Sequence, residues 1–140
     1  MFSKLVFLAL IPAIFAANHA VTVGANNGLT FTPNTITAAV GDTVTFTVVS
    51  RNHSVTSTNF SGAVCPPPRG GVGPNGFDSG FLSDLDGSMP KFVYTVRDTT
   101  PHFGACMQAA GAHCRAGMTF AINPSATQTY AQFNRNAAAS

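Results

Sequence analysis

Hydrophobic and polar residues alternate along much of the first half of the chain. In the segment "TVTFTVV" (43–49), valine and phenylalanine occupy every second position up to residue 48, with threonine between them. Successive side chains of a β-strand point to opposite faces of a sheet, so this alternation predicts a half-buried strand. The segments "AVTVGA" (20–25) and "LTFTPNTITAAV" (29–40) have the same character. We expect antiparallel strands here, with a turn at Gly41-Asp42 folding residues 36–40 back onto 43–49.

The second half of the chain continues this pattern after a segment rich in proline and glycine. Residues 61–81, "SGAVCPPPRGGVGPNGFDSGF", hold three consecutive prolines and six glycines, which predicts a long surface loop. Apolar patterns resume at "KFVYTV" (91–96), around "HFGAC" (102–106) and at "MTFAIN" (118–123). Six to eight short strands without a long helical period predict an all-β domain, built as a two-layer β-sandwich.

The two ends of the chain depart from the strand pattern. A short cationic start (1–4) precedes the apolar run "LVFLALIPAIFAA" (5–17), which ends in small residues suited to signal peptidase. The run is shorter than the roughly 20 residues that a membrane-spanning helix needs. We therefore expect a secretory signal over residues 1–17 and no membrane span. The patterned region, 18–124, is then one domain, and we expect the weakly patterned tail (125–140) to be weakly ordered.

The requirement for small residues limits where signal peptidase can cleave the chain. Cleavage after Ala16 or Ala17 fits the small-residue rule best, and either choice leaves His19 two or three residues from the new N-terminus. We interpret His19 as a solvated residue ahead of the first strand.

Composition and charge exclude several classes of function. Seven Lys and Arg residues oppose five Asp residues and no Glu, giving a formal net charge of +2 at pH 7. That charge is too small for an electrostatic nucleic-acid footprint, so we expect no nucleic-acid partner. The one close carboxylate pair, Asp84 and Asp86, lies in a loop, and no serine occupies a nucleophile-elbow pattern. These observations argue against a hydrolytic enzyme.

Histidine and sulfur residues carry the candidate chemistry. The chain has three cysteines, and an odd number in a secreted protein leaves one thiol outside disulfides. That thiol is a buried free cysteine, an intermolecular bridge or a metal ligand. Cys106 follows a predicted strand, His53 lies at an earlier strand end, and His113 and Met118 follow beyond a loop. A thiolate, two imidazoles and a long axial thioether form the type 1 (blue) copper arrangement, so the pattern predicts a copper site.

Five segments together resemble the cupredoxin superfamily, specifically its phytocyanin-like branch and the secreted fungal proteins similar to it. They are "TPNTITAAVGDTVTF" (32–46), "NHSV" (52–55), "FDSGF" (77–81), "CMQAAGAHCRAGM" (106–118) and "FAINP" (120–124). The resemblance covers roughly residues 20–124 and implies a Greek-key β-sandwich. It also implies that one type 1 copper ion is bound by His53, Cys106, His113 and Met118. By the same resemblance, Cys65 and Cys114 form a structural disulfide.

A copper site of this kind leaves no open coordination position, which favours one-electron transfer over substrate chemistry. Copper binding outside the cell is a second use of the same ligands. We therefore expect a secreted, monomeric protein that is not an enzyme, with an unknown redox protein or cell-wall component as its partner.

Two N-x-S sequences are candidate glycosylation sites. Asn59 is the better acceptor, because Asn52 adjoins His53.

One departure from the family pattern leaves a second interpretation open. Six residues, "MQAAGA", separate Cys106 from His113, where the phytocyanin-like pattern usually has four. A displacement of about 1 Å can misplace a ligand. The same sandwich could therefore be a metal-free secreted structural or cell-surface binding module.

His102 is not among the candidate ligands. We interpret it as a strand residue that faces solvent.

Overall fold

The computed structural model describes residues 5–12 and 15–140. In these ranges the strands are β1 (Asn18–Val23), β2 (Phe31–Thr32), β3 (Thr35–Ile36), β4 (Thr43–Val48), β5 (Asn52–Thr58), β6 (Asp78–Ser83), β7 (Lys91–Thr95), β8 (His102–Ala105) and β9 (Thr119–Ile122). The helices are α1 (Ala112–Arg115) and α2 (Tyr130–Ala139). One sheet has the strand order β2-β1-β4-β7 and the other β3-β9-β8-β5-β6. The predicted all-β Greek-key sandwich is confirmed, with nine strands in the described ranges instead of six to eight.

The core lies between the two sheets and follows the alternation of the sequence. Val44, Phe46 and Val48 of β4 are fully buried on the inner face of their sheet. Phe120 of β9 meets them from the opposite sheet, with its ring centroid 4.9 Å from that of Phe46. Burying a side chain of this size contributes about 1.5–3 kcal/mol. The packed core therefore fixes the positions of the strand ends, and with them the positions of any functional residues located there.

Strand pairing around Gly41 differs from the prediction. β3 pairs in parallel with β9 in one sheet, whereas β4 pairs in parallel with β1 in the other. Gly41, with a φ of +93°, therefore carries the chain from one sheet to the other and does not close a hairpin. The expected hairpin between residues 36–40 and 43–49 was therefore wrong, although β4 does pair antiparallel with β7. Alternation defines the faces of a strand but not its partner.

The predicted surface loop ends earlier than expected. β6 begins at Asp78, so the last residues of the 61–81 segment pair with β5. The register of this pair shifts between Ser54 and Thr56, which is characteristic of a bulge. β6 is an edge strand of its sheet, where glycine is tolerated.

The C-terminal tail is helical where weak order was expected. Thr129 caps α2, its Oγ1 accepting a hydrogen bond from the Gln132 N–H at 3.1 Å. Phe133 and Ala137, four residues apart on one helical face, are fully buried. The Phe133 ring centroid lies 4.7 Å from that of Phe103 in β8. The ordered domain therefore extends through α2, which covers the outer face of the five-stranded sheet.

The N-terminal segment lies apart from the sandwich. Among the residues that the structure describes before Asn18, none belongs to a helix or strand, and the large apolar side chains are exposed. Part of the predicted signal, residues 1–4 and 13–14, lies outside the described residues. In the described ranges, no helix has both the length and the hydropathy that crossing a membrane requires.

Candidate metal centre

Two strand ends and one helix bring His53, Cys106 and His113 together. His53 is the second residue of β5, Cys106 directly follows β8, and His113 lies in α1. Because β5 and β8 are antiparallel neighbours, the beginning of one lies beside the end of the other. The Met107 N–H donates to Ser54 Oγ at 2.9 Å. This hydrogen bond extends the contact between the two segments beyond the last paired residues of β5 and β8.

The three side chains present their ligand atoms to one point. Cys106 Sγ lies 3.8 Å from His53 Nδ1 and 3.7 Å from His113 Nδ1. All three ligand atoms lie within 4.8 Å of one another. Metal bonds of about 2.0 Å to nitrogen and about 2.3 Å to sulfur, roughly 120° apart, would place the sulfur about 3.7 Å from each nitrogen. The spacing therefore fits a single metal ion, and the mixed imidazole and thiolate donors suit copper.

The Cys106 thiol is buried and accepts two backbone hydrogen bonds. The donors are the N–H groups of Ser54, at 3.3 Å, and Gln108, at 3.4 Å. Burial raises the pKa of the thiol, and the two N–H groups act in the opposite direction. The thiol form is therefore favoured in the absence of a metal, and the two N–H groups would stabilise the thiolate once a metal ion replaces the proton.

The two imidazoles are held in their neutral form. Burial is the main cause that lowers the pKa of His53 to about 4, followed by the charges of His113 and Arg51. Burial, and then the charge of Arg51, also lowers the pKa of His113. Near neutral pH both rings therefore keep a nitrogen lone pair available to a metal.

These depressed pKa values predict that the metal-free protein loses stability in mild acid. Between about pH 6.5 and pH 4, the unfolded chain protonates His53 while the folded chain does not, so unfolding takes up a proton. Stability is then fully present above the unfolded pKa and falls as the pH approaches the folded one. We expect a lower urea midpoint at pH 5 than at pH 7 in the presence of a chelator. The His53→Gln variant should show a smaller change between these pH values, and an equal change would contradict the assignment.

Gly24 closes the site behind His53. Its φ is +81°, and a Cβ built on it would lie 3.0 Å from His53 Nε2 and 2.5 Å from Ser50 Oγ. The Ser50 hydroxyl donates to the Gly24 carbonyl at 2.7 Å and holds the end of β1 in this place. His53 Nε2 is buried with no hydrogen-bond partner in the described part of the chain. The glycine thus allows backbone to cover the ring and exclude water from it.

The Gly24→Ala variant is therefore expected to disturb the site and not only the backbone. A left-handed alanine costs about 1–2 kcal/mol by itself, and the contact with the His53 ring adds to that cost. Gly41→Ala is the matched control, because Gly41 has a φ of +93° but nothing lies within 4 Å of the position that a Cβ would take there. Urea denaturation and metal titration should show the larger stability loss, and weaker metal binding, in Gly24→Ala. Equal effects of the two substitutions would contradict this role.

The longer loop between Cys106 and His113 forms a tight turn, so His113 stays close to Cys106. Ala109, Ala110 and Gly111 all have positive φ, at 55°, 52° and 91°, and form a short 3-10 turn. α1 begins immediately afterwards and holds His113. The extra length is therefore absorbed before the histidine, whose Nδ1 remains 3.7 Å from Cys106 Sγ.

A disulfide anchors the helix that carries His113. Cys65 and Cys114 are bonded, as the family resemblance implied, with their Cα atoms 5.7 Å apart. Arg115 supports the same junction by donating from Nη2 to the Cys65 carbonyl at 3.2 Å. The bridge thus ties the proline-rich loop to the residue next to His113.

Met118 is connected to the same centre through its backbone. Its N–H donates to the His113 carbonyl at 3.0 Å, and its carbonyl accepts from the Cys106 N–H at 3.2 Å. Its side chain is fully buried in the same core cluster as Cys106. Its role as axial ligand stays a prediction. Glycosylation also stays a prediction, although Asn59 is exposed just beyond the opposite end of β5.

Two other histidines are less solvated than expected. His102 is only 9% exposed, and its Nε2 lies 2.7 Å from Asp98 Oδ1. His19 belongs to β1, and its Nε2 lies 2.9 Å from Asp42 Oδ2. The interpretation of His102 as a solvent-facing residue was therefore wrong. His19 lies within β1 and not ahead of it, and its ring is partly exposed and paired with a carboxylate.

Comparison with known proteins supports the fold. No family model matches the chain. A probable GPI-anchored cupredoxin of Arthroderma benhamiae is 34% identical over 119 residues, which cover 85% of this chain and 58% of that relative. The chain therefore spans less than two thirds of the relative's length.

Solved structures share the architecture at low sequence identity. The purple cupredoxin of Nitrosopumilus maritimus is 16% identical with a TM-score of 0.51, covering 76% of this chain and 99% of its own. A pseudoazurin from Sinorhizobium is 21% identical with a TM-score of 0.51, covering 76% and 72%. The plastocyanin of Dryopteris crassirhizoma is 22% identical with a TM-score of 0.50, covering 74% and 96%.

The sandwich is thus a cupredoxin fold, with a histidine-cysteine-histidine cluster at one end. The chain is therefore similar in sequence to a cupredoxin and shares the cupredoxin fold, which supports membership of the cupredoxin superfamily. Its place in the phytocyanin-like branch stays a prediction.

Proposed function

We propose that the protein is a secreted type 1 copper protein that binds one copper ion and transfers single electrons. The observation that carries this proposal is the triangle of His53 Nδ1, Cys106 Sγ and His113 Nδ1, with sulfur-nitrogen distances of 3.8 and 3.7 Å. Copper storage outside the cell would use the same ligands. The alternative of a metal-free module receives less support, because the longer loop leaves His113 beside Cys106.

Each residue of the site has a distinct role in this proposal. His53, Cys106 and His113 would hold the copper through two imidazoles and a thiolate, and Met118 would add a thioether. When bound, copper alternates between Cu(I) and Cu(II) and so carries one electron. Backbone N–H groups from Ser54 and Gln108 stabilise the thiolate. Such outer contacts tune a metal site almost as strongly as its ligands do.

His113 offers the route for electron exchange. Cys106 and His53 are fully buried, whereas His113 is half-buried and adjoins the exposed Ala112. A redox partner would therefore approach the His113 edge, close to the exposed Ala112 and to the positive charge of Arg51. The ligands are attached to packed strand ends and to a disulfide-anchored helix, which limits movement between the two oxidation states.

Secretion is supported by three independent features. The described residues before Ala17 form no helix or strand and expose their large apolar side chains, and the Cys65–Cys114 disulfide is typical of oxidising compartments. The Arthroderma benhamiae relative is by its name a probable GPI-anchored protein, which fits a cell-surface or extracellular location.

Copper loading followed by voltammetry tests the proposal. The purified mature chain is incubated with Cu(II), freed of excess metal by gel filtration, and analysed for copper before and after repeated reduction and oxidation. We expect one copper per chain, one reversible couple and no copper loss. Release of copper on each reduction would contradict electron transfer and would favour copper binding as the function. A chain that retains no copper would identify the metal-free module.

A further inference from the structure

A buried carboxylate lies far from the metal centre and has no role there. Asp42, in the turn before β4, is only 7% exposed. Its Oδ1 accepts from the Ala17 N–H at 2.9 Å, and its Oδ2 contacts His19 Nε2 at 2.9 Å and the Ala39 N–H at 3.0 Å. Gly24, behind His53, lies just past the other end of β1, so β1 separates Asp42 from the metal centre.

Ala17 is the residue at which the N-terminal segment becomes hydrogen-bonded to the sandwich. Its N–H reaches Asp42, and its carbonyl accepts from the Thr43 N–H at 2.9 Å. The described residues before it, 5–12 and 15–16, have no helix or strand and expose their apolar side chains. The boundary between attached and unattached chain therefore falls between Ala16 and Ala17.

We propose that the secreted chain is processed between Ala16 and Ala17, and that Asp42 binds the terminal ammonium group of Ala17. This inference rests on the proposed secretion. Cleavage hydrolyses the Ala16–Ala17 peptide bond, so that the water oxygen joins the Ala16 carbonyl carbon as a carboxylate. The Ala17 nitrogen becomes an amine and is protonated at neutral pH. A small residue, Ala16, then precedes the cut, as signal peptidase requires.

Cleavage at this bond adds a charge interaction and removes no hydrogen bond that the structure describes between residues 5–12 or 15–16 and the sandwich. The nitrogen 2.9 Å from Asp42 Oδ1 changes from a neutral amide to a cation, and hydrogen bonds between charged groups are stronger. A cut after Ala17 would delete both of its hydrogen bonds. A cut after Asn18 would also delete the Asn18 Oδ1 that accepts from the Thr43 and Thr45 hydroxyls at 2.8 and 2.7 Å.

Asp42 is suited to a cation because its carboxylate is kept ionised. Its hydrogen bond with His19 is the main cause that lowers its pKa to about 2, followed by the N–H groups of Ala17 and Ala39. The terminal ammonium and His19 would occupy different oxygens of the same carboxylate, so they need not compete for one position.

N-terminal sequencing and intact mass of the secreted protein test the cleavage position. We expect a chain that begins at Ala17. A chain that begins at Asn18 or later would overturn the role of Asp42 and leave secretion and copper binding intact. A chain that is secreted uncleaved would overturn this inference alone, whereas an uncleaved chain found only inside the cells would overturn the proposed secretion as well.

The ammonium contact is tested separately on two recombinant chains released without extra residues from a cleavable fusion. One begins at Ala17, and its matched control begins at Phe15, which keeps the Ala17 N–H but moves the charge two residues away. At pH 6 we expect a melting temperature about 2 °C or more higher for the first chain. In the Asp42→Asn background the difference should disappear. Equal melting temperatures of the two chains with Asp42 present would overturn the proposal.

A chemical measurement covers the case in which Asp42→Asn does not fold. The α-amine of each chain is acylated at pH 7, and the labelled N-terminal peptide is followed by mass spectrometry. We expect slower labelling of the chain that begins at Ala17, because its amine is held protonated by Asp42. Labelling at the rate of the Phe15 chain would contradict the contact.

Discussion

Replacing Cys106 by serine is expected to abolish the intense thiolate-to-copper absorption of the Cu(II)-loaded protein. Serine is close to cysteine in size, but its hydroxyl stays protonated at neutral pH and is a harder ligand than a thiolate. The loss in Cu(II) affinity should exceed the roughly 10–100-fold that removal of an outer-shell contact costs. Absorption spectra and competition with a chromophoric chelator measure both effects.

The control for this substitution is another buried polar residue outside the cluster. His102 is 9% exposed and pairs with Asp98. His102→Gln should therefore leave the absorption band and the copper affinity unchanged, whereas His113→Gln should weaken both. A Cys106→Ser protein that keeps the band would remove Cys106 from the site.

Removing the disulfide is expected to cause the largest loss of stability. The bridge joins residues 49 apart in sequence, and closing a loop of this length contributes about 4 kcal/mol in the chain-entropy model. The double variant Cys65→Ala/Cys114→Ala should lower the free energy of unfolding of the metal-free protein by about that amount. Urea denaturation monitored by circular dichroism measures the change.

The same variant should also weaken copper binding, because Cys114 anchors the short helix that carries His113. Wild-type protein treated with a reductant should approach the stability of the double variant, which controls for the packing of the two new alanines. A double variant within about 1 kcal/mol of the oxidised wild type would contradict the anchoring role.

Several parts of the fold and site could be predicted from the sequence for clear physical reasons. Alternation of valine, phenylalanine and threonine identified the buried face of β4, because side-chain direction in a strand is a local property. The odd cysteine count indicated one unpaired thiol. The resemblance to cupredoxins then supplied the Cys65–Cys114 pairing, which the structure confirms.

Other features depend on contacts between distant segments and could not be predicted. The change of sheet at Gly41 requires knowledge of which strands β3 and β4 pair with. The order of α2 comes from Phe133 and Ala137 packing on the five-stranded sheet, and alanine gives little signal of burial. The left-handed Ala109 and Ala110, which absorb the extra loop length, are equally invisible because alanine rarely adopts that conformation.

Residues behind the ligands were also missed. Gly24 lies 29 residues before His53 in sequence, yet its backbone closes against the outer nitrogen of that ring. A glycine directly after the alternating "AVTV" was a weak sign that the strand ends at a crowded position. Only the folded structure shows that the crowding is with a candidate copper ligand.

Copper K-edge X-ray absorption of the Cu(II)-loaded mature chain tests the central claim most directly, since it reports the atoms bonded to the metal. The account predicts one short bond to sulfur and two bonds to imidazole nitrogen, with the sulfur contribution absent in Cys106→Ser. A spectrum fitted by nitrogen and oxygen neighbours alone in the wild-type protein would contradict it.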